Sequence, residues 1–351
     1  MLSSIRCSET TVAWFDSYVN DRRQAVSIGD LSSQWDLVQI GTPQGSVLGP
    51  FMFIVNMNFI ILSIQEAVQC RSIVNADDTT LLFRVNPRRL NEDLRVATSG
   101  VRSAMLQFEK FGLVVNAKKT LFVLFRSAQR GLIVDQTVLS ELAISLSPSA
   151  TCLGVCFNEH MKWDSHVDAL TSKCYAVISS LRRLRQVGAT MTVLLKAYRA
   201  LFEPILGYCI AVWGGGYDTV MSRVRVLQND ALRALFGRKR RDSVRDLYLL
   251  HDILTVDQLI AMKWAVMIFK MQHGGIPQDI SFSFKSLHAR ETRQAANLRV
   301  PKVGRELSRH SPRYCMPTIW NSLPSEIRSL TSAETFLTRV REHLKIGGVT
   351  P

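Results

Sequence analysis

The hydrophobic pattern changes period once along this chain, and that change limits the folds open to it. Up to about residue 160, apolar residues come in short runs broken by Gly, Pro, Asn and Asp, the mark of strands and hairpins mixed with helices. From Trp163 the apolar positions follow one helical face through Val167, Leu170, Cys174, Ile178 and Leu181. The pattern stays mostly helical to about residue 272. A region rich in Pro, Gly and His, 273–314, reads as loop, and an amphipathic helix is expected over 334–345. The expectation is an α+β chain, with a mixed part to residue 160 and helical regions over 161–245 and 246–351.

Within the mixed part the local reading is specific. Residues 10–20 form a helix around Trp14 and Tyr18, and 24–40 a strand pair turning at Gly29-Asp30. A loop, 41–46, opens a buried helix over 47–66. Two short apolar runs flank Asn75-Ala76-Asp77-Asp78, which predicts a β-hairpin over 70–84 with its carboxylates at the tip. Leu90, Leu94, Ala97, Val101, Met105 and Phe108 keep a helical period. Residues 119–126 and 151–157 read as buried strands.

Charge follows the same division. The chain of 351 residues carries a net charge of +14. Residues 1–180 hold 16 basic and 16 acidic side chains, whereas 181–245 hold 13 and 4. An excess confined to the C-terminal half points to an anionic partner bound there. Seven scattered cysteines, and no apolar signal-peptide core over 1–14, predict free thiols and an intracellular protein of the cytoplasm or nucleus. The most apolar run, 51–64, contains Asn56 and Asn58 and is expected to be too short to span a bilayer, so no membrane partner is expected.

The adjacent Asp77 and Asp78 are the leading candidates for chemistry, because paired carboxylates suit a hard divalent cation that must also meet phosphate. Taken alone, an Asp-Asp pair is commonly a solvated turn. Its neighbours in the chain change that. Upstream stands GTPQGSVLGP, 41–50, and downstream Asn116-Ala117-Lys118-Lys119-Thr120. In this order the segments resemble motifs B, C and D of the reverse transcriptases of non-LTR (LINE-type) retrotransposons. Leu153-Gly154-Val155 resembles the L-G-V strand of their primer-grip region. Trp213-Gly214, Gln228-Asn229, Leu232-Arg233 and Trp320-Asn321-x-Leu323-Pro324 resemble their C-terminal pattern.

The resemblance implies an incomplete polymerase palm, with a small antiparallel sheet plus helices, followed by a helical thumb and C-terminal region. It implies RNA-directed DNA synthesis, with dNTPs, an RNA template and a DNA primer as partners and two Mg²⁺ ions as cofactor. Asp77 and Asp78 are then the metal ligands. Pro43, Gln44, Gly45 and Ser46 lie against the incoming nucleotide and template base. Lys119 assists the pyrophosphate leaving group. Arg182, Arg183, Arg185, Arg238, Lys239, Arg240 and Arg241 contact the nucleic-acid backbone without reading sequence. The 238–241 run also has the composition of a nuclear localisation signal.

Three departures from the family pattern stand out. No K-A-F-D-like motif A precedes motif B; Asp16, Asp21, Asp30 and Asp36 lack its context. The segment Trp14-x-x-Ser17-Tyr18-x-x-x-Arg22 instead resembles the family segment just downstream of motif A, so the expectation is a truncated copy, inactive alone, with weakened metal binding. Asn75 stands where the family has the tyrosine of Y-A-D-D, and Phe59 where it has the Asp of I-N-D-L. The rival reading is a non-catalytic nucleic-acid-binding remnant that uses only its basic helices. Cys152, Cys156, His160 and His166 have zinc-like spacing, but buried strand thiols explain the cysteines more simply.

Overall fold

A computed structural model describes residues 7–38, 41–42, 45–128, 131, 134, 142, 144–276, 297–304 and 306–346. The chain forms two compact units, 1–148 and 149–351.

In the N-terminal unit, α1 (Glu9–Val19) starts where the Ser8 hydroxyl accepts the Thr11 N–H at 3.2 Å. Short strands β1 (Arg23–Gln24), β2 (Ser27–Ile28), β3 (Leu31–Ser32) and β4 (Asp36–Leu37) nest as one hairpin around Gly29-Asp30, β2 on β3 and β1 on β4. Helix α2 (Gly49–Ala67) buries Met57, Ile60 and Ile64 at helical spacing. The hairpin β5 (Arg71–Asn75) and β6 (Asp78–Leu82) contributes Val74 and Leu81 to the same cluster. Helix α3 (Leu90–Lys110) adds Ala104. Gly100 lets α3 approach closely: a Cβ there would lie 2.8 Å from Val68 Cγ1 and 2.9 Å from Phe83 Cε1.

Three local expectations change here. The segment 47–66 is not buried all round, because α2 leaves Phe51, Ile54 and Leu62 about half in solvent. At 19 residues it is also longer than the apolar run in the sequence, and by length and composition it reaches the size of a membrane span. Its buried face packs on α3 and the hairpin. The strand expected over 119–126 shrinks to β7 (Leu121–Phe122), which pairs in parallel with β8 (Ser145–Leu146). The described residues hold five separate two-stranded ladders, four of them antiparallel, instead of one small sheet.

In the C-terminal unit, 151–157 is not one strand. β9 (Ser149–Cys152) and β10 (Val155–Asn158) form a hairpin turning at Leu153-Gly154, both at positive φ (46° and 77°). The Tyr208 hydroxyl donates to the Leu153 carbonyl at 2.7 Å and holds this turn. Helix α4 (Asp164–Gln186) buries Val167, Leu170, Cys174, Ile178 and Leu181, the positions its sequence period marks. After α5 (Met191–Ala197), a π turn (Tyr198–Phe202), α6 (Glu203–Gly207) and α7 (Ile210–Trp213) comes α8 (Asp218–Phe236). Helices α4 and α8 run parallel: Asp168 pairs with Arg223 near their starts, and Arg185 lies against Gly237 at their ends.

Further on are α9 (Arg245–Leu250), α10 (Val256–Gln272), α11 (Glu306–Arg309), α12 (Pro312–Ser322), α13 (Ser325–Arg328) and α14 (Ala333–Lys345). All but α11 share one core with α4 and α8, which joins Ile178 and Leu235 to Trp264, Trp320 and Phe336. The second compact unit begins at Ser149, so it includes the β9–β10 hairpin. Val155 belongs to this same core, which draws the β9–β10 hairpin into the helical unit.

The family-like residues of this unit have structural work. Gln228, 2% exposed, donates to the Leu254 carbonyl at 2.8 Å and accepts the Val256 N–H at 2.9 Å. Tyr248 donates to its neighbour Asn229 at 2.8 Å. Gly214 and Gly215 pack where a side chain would strike Ile260 and the His310 carbonyl. Asn321 exchanges two 2.8 Å hydrogen bonds with the Leu298 backbone. Replacing Gln228 with Leu would strand the Val256 N–H and the Leu254 carbonyl. The expected loss is about 3 kcal/mol, read from urea unfolding.

His166 is buried beside Trp213 and accepts the Cys156 N–H at 3.4 Å. Desolvation, helped by the Lys173 charge, holds its pKa below the ordinary 6.5. The unfolded chain then binds the extra proton first as pH falls, so stability is fully present above that ordinary value and declines below it. Unfolding midpoints measured from pH 7 to pH 5 should drop, and His166→Gln should flatten the slope.

Candidate functional site

The acidic pair sits where the sequence puts it. Asn75 pairs with Asp78, leaving Ala76-Asp77 as a two-residue turn with Ala76 at φ 52°. Strand alternation puts Val74 and Leu81 on the core face, and places Asn75 and Asp78 on the outer face with Ile73 and Leu82. Both carboxylates are exposed. Neither forms an ion pair with Lys119 among the described residues. Two Mg²⁺ ions about 4 Å apart need more anionic oxygen than one exposed pair supplies. No group of three or more His, Cys, Asp or Glu among the described residues could hold a metal. The donor set present therefore does not complete a two-metal site.

In the segment before α2, Gly45 is open to close approach. Gly45 has φ +82°, and nothing lies within 4 Å of where its Cβ would be. The Ser46 hydroxyl accepts the Gly49 N–H at 3.0 Å, which satisfies a free donor at the start of α2. Pro43 and Gln44 lie outside the described residues. The Arg22 guanidinium donates to the Gly41 carbonyl and, at 3.0 Å, to that of Val19. The sequence alone assigns Arg22 no role; its place in the Trp14-to-Arg22 segment is the only signal.

The N-x-x-K-T spacing has a local cause. Asn116 Oδ1 accepts the Lys119 N–H at 3.2 Å, and Thr120 Oγ1 donates to the Asn116 carbonyl at 2.9 Å. The capped 3-10 turn, Ala117–Lys119, leaves Lys118 and Lys119 in solvent.

In the C-terminal unit the structure joins two basic groups that are far apart in sequence. Arg182, Arg183 and Arg185 occupy the last turns of α4, and 238–241 follow Gly237, the left-handed cap of α8. Because the helices are parallel, these ends meet, with the Arg185 guanidinium against Gly237. All seven basic side chains are exposed. Arg238 pairs with Asp246 at 3.1 Å, while Arg182, Arg185, Arg240 and Arg241 have no carboxylate partner among the described residues. Cations at helix C-termini offset the negative end of the dipole, which accounts for some of them; the remainder form a positive surface.

Residues 2–164 match the profile of the reverse transcriptase (RNA-dependent DNA polymerase) family. This segment belongs to the reverse transcriptase family. The match contains the Gly45-Ser46 loop, the acidic hairpin and the Asn116 turn. Among curated relatives, the probable RNA-directed DNA polymerase from transposon BS of Drosophila melanogaster is 29% identical over 227 residues, covering 62% of this chain and 25% of that protein. The Pol polyprotein from the type-1 retrotransposable element R1 of Nasonia vitripennis is 26% identical over 228 residues, 62% of this chain and 66% of that protein. The RNA-directed DNA polymerase from mobile element jockey of Drosophila melanogaster is 24% identical over 250 residues, 66% of this chain and 26% of that protein. The chain thus spans about a quarter of the transposon BS and jockey polymerases. No solved structure matches. These relatives are retrotransposon proteins, two of them RNA-directed DNA polymerases by name, and the reverse transcriptase family generally uses Mg²⁺ for catalysis.

If two carboxylates are the whole local donor set, titration with Mn²⁺ followed by EPR should show weak binding abolished by Asp77→Asn/Asp78→Asn. Tight binding of two ions would show a ligand set larger than the hairpin.

Proposed function

We propose that this chain is the palm-to-thumb part of an RNA-directed DNA polymerase of the non-LTR retrotransposon type. The N-terminal unit is the palm segment, and the helical unit, with the basic surface of 182–185 and 238–241, is the thumb and adjoining region. Asp77 and Asp78 are its share of the metal ligands. Pro43, Gln44, Gly45 and Ser46 border the incoming nucleotide and template base, where Gly45 leaves room for close approach. Lys119, presented by the Asn116 cap, offers a proton or a positive charge to pyrophosphate as the primer 3′-hydroxyl displaces it. Template, primer and dNTPs are the partners. The seven free cysteines suit a reducing compartment inside the cell.

The observation that carries this reading is the arrangement of the motif B, C and D residues. Gly45, Asp77, Asp78 and Lys119 are exposed in one unit, in the family's order along the chain, and a partly uncompensated basic surface follows in the next. The incomplete carboxylate set favours a second reading for the isolated chain: nucleic-acid binding without catalysis. Primer extension on an RNA template with Mg²⁺ and dNTPs separates the two, run beside Asp77→Ala/Asp78→Ala. The expected result is template–primer binding by both proteins and extension by neither. Extension lost only in the double variant would show that the chain completes the site itself.

A further inference from the structure

Helix α1 presents the Trp14 ring to water, with Phe15 and Tyr18 half-buried beside it. None of its residues is buried, and Trp14 is 53% exposed. Trp14 and Tyr18, one turn apart, stack with centroids 5.8 Å apart and planes within 8°. Phe15 meets Trp14 edge-on at 5.1 Å and contacts Phe51 of α2 at 6.4 Å, which ties the pair to the helix that follows the motif B loop. Arg22, eight residues beyond Trp14, bonds the Gly41 carbonyl at the start of that loop. Arg23 beside it is exposed, with no carboxylate partner among the described residues.

A parallel aromatic pair with an open indole matches an unpaired base, which stacks on the exposed ring. A duplex does not fit as well, because its bases are already stacked. The acidic Asp16 lies two residues from Trp14, toward the opposite side of the helix, and leaves the aromatic stripe uncharged. We propose that Trp14 and Tyr18 form a stacking platform for a base of single-stranded nucleic acid, a template strand on its way to the Gly41–Ser46 loop. The proposal rests on the polymerase reading for the strand's identity, while the platform itself rests on the ring geometry.

The test is fluorescence anisotropy of the full chain with a short labelled oligouridine, in EDTA so that metal and catalysis play no part. Trp14→Ala should weaken binding about tenfold, and Trp14→Phe, which keeps a ring, no more than about twofold. With an abasic sugar-phosphate oligomer of equal length, wild type and Trp14→Ala should bind alike. Because α1 buries no residue, Trp14→Ala should fold as wild type does, and an unchanged circular dichroism melt verifies this. Equal oligouridine binding by wild type and Trp14→Ala overturns the platform, as does an equal loss on the abasic oligomer. The latter result would assign the helix to backbone binding. A failure of the polymerase reading would show in primer extension and not in this metal-free binding assay.

Discussion

The packing of two parallel helices underlies the C-terminal half of this protein. On α4, Val167, Leu170, Cys174, Ile178 and Leu181 make one apolar stripe, and on α8 Val220, Val224, Leu227, Ala231 and Leu235 make another. Their burial in a common core fixes the direction of both helices. The same packing decides where charge accumulates. An antiparallel pair would have put Arg182–Arg185 and Arg238–Arg241 at opposite ends; the parallel pair collects them at one. Gly237 is required at that point, because its left-handed φ of 69° ends α8 and the Arg185 guanidinium occupies the space beside it.

The N-terminal unit is organised differently. Its buried apolar residues fall in small clusters around α2 and at Leu90 and Leu94, and many large side chains stay in water, among them Ile28, Leu31 and Trp35. Chemistry-bearing residues here sit on turns held by local hydrogen bonds: Ala76-Asp77 between two paired strands, Lys119 on an Asn116 cap, Gly45 ahead of a Ser46 cap. Such turns can form early and locally, without a large core behind them. Each of these turns is thus set by its own short-range bonds and not by a core shared among them.

Much of this was legible in the sequence. The Asn75–Asp78 tip, the α3 period and the α4 stripe were readable because each is set by local spacing. The β9–β10 hairpin was not, because its turn places Leu153 at a positive φ, a conformation that a leucine does not advertise. The shared core of 161–245 and 246–351 was hidden for another reason. It depends on Trp264, Trp320 and Phe336 meeting α4 and α8 across long sequence separations, which no periodicity records. In the sequence Gln228 is a motif residue of unknown use, and only the structure shows its amide joining α8 to the start of α10. Of the motif B residues, Gly45 and Ser46 can be assigned geometry, whereas Pro43 and Gln44 fall outside the described residues.

The central claim is that the joined ends of α4 and α8 grip a nucleic-acid backbone. The most direct test is the slope of log affinity against log salt for an RNA–DNA duplex. Wild type should be compared with a variant carrying Gln at Arg182, Arg183, Arg240 and Arg241. Each phosphate that the variant no longer neutralises should reduce the slope by about 0.9, so the account predicts a fall of roughly three to four units. An unchanged slope in a folded variant would contradict it and place the binding surface elsewhere.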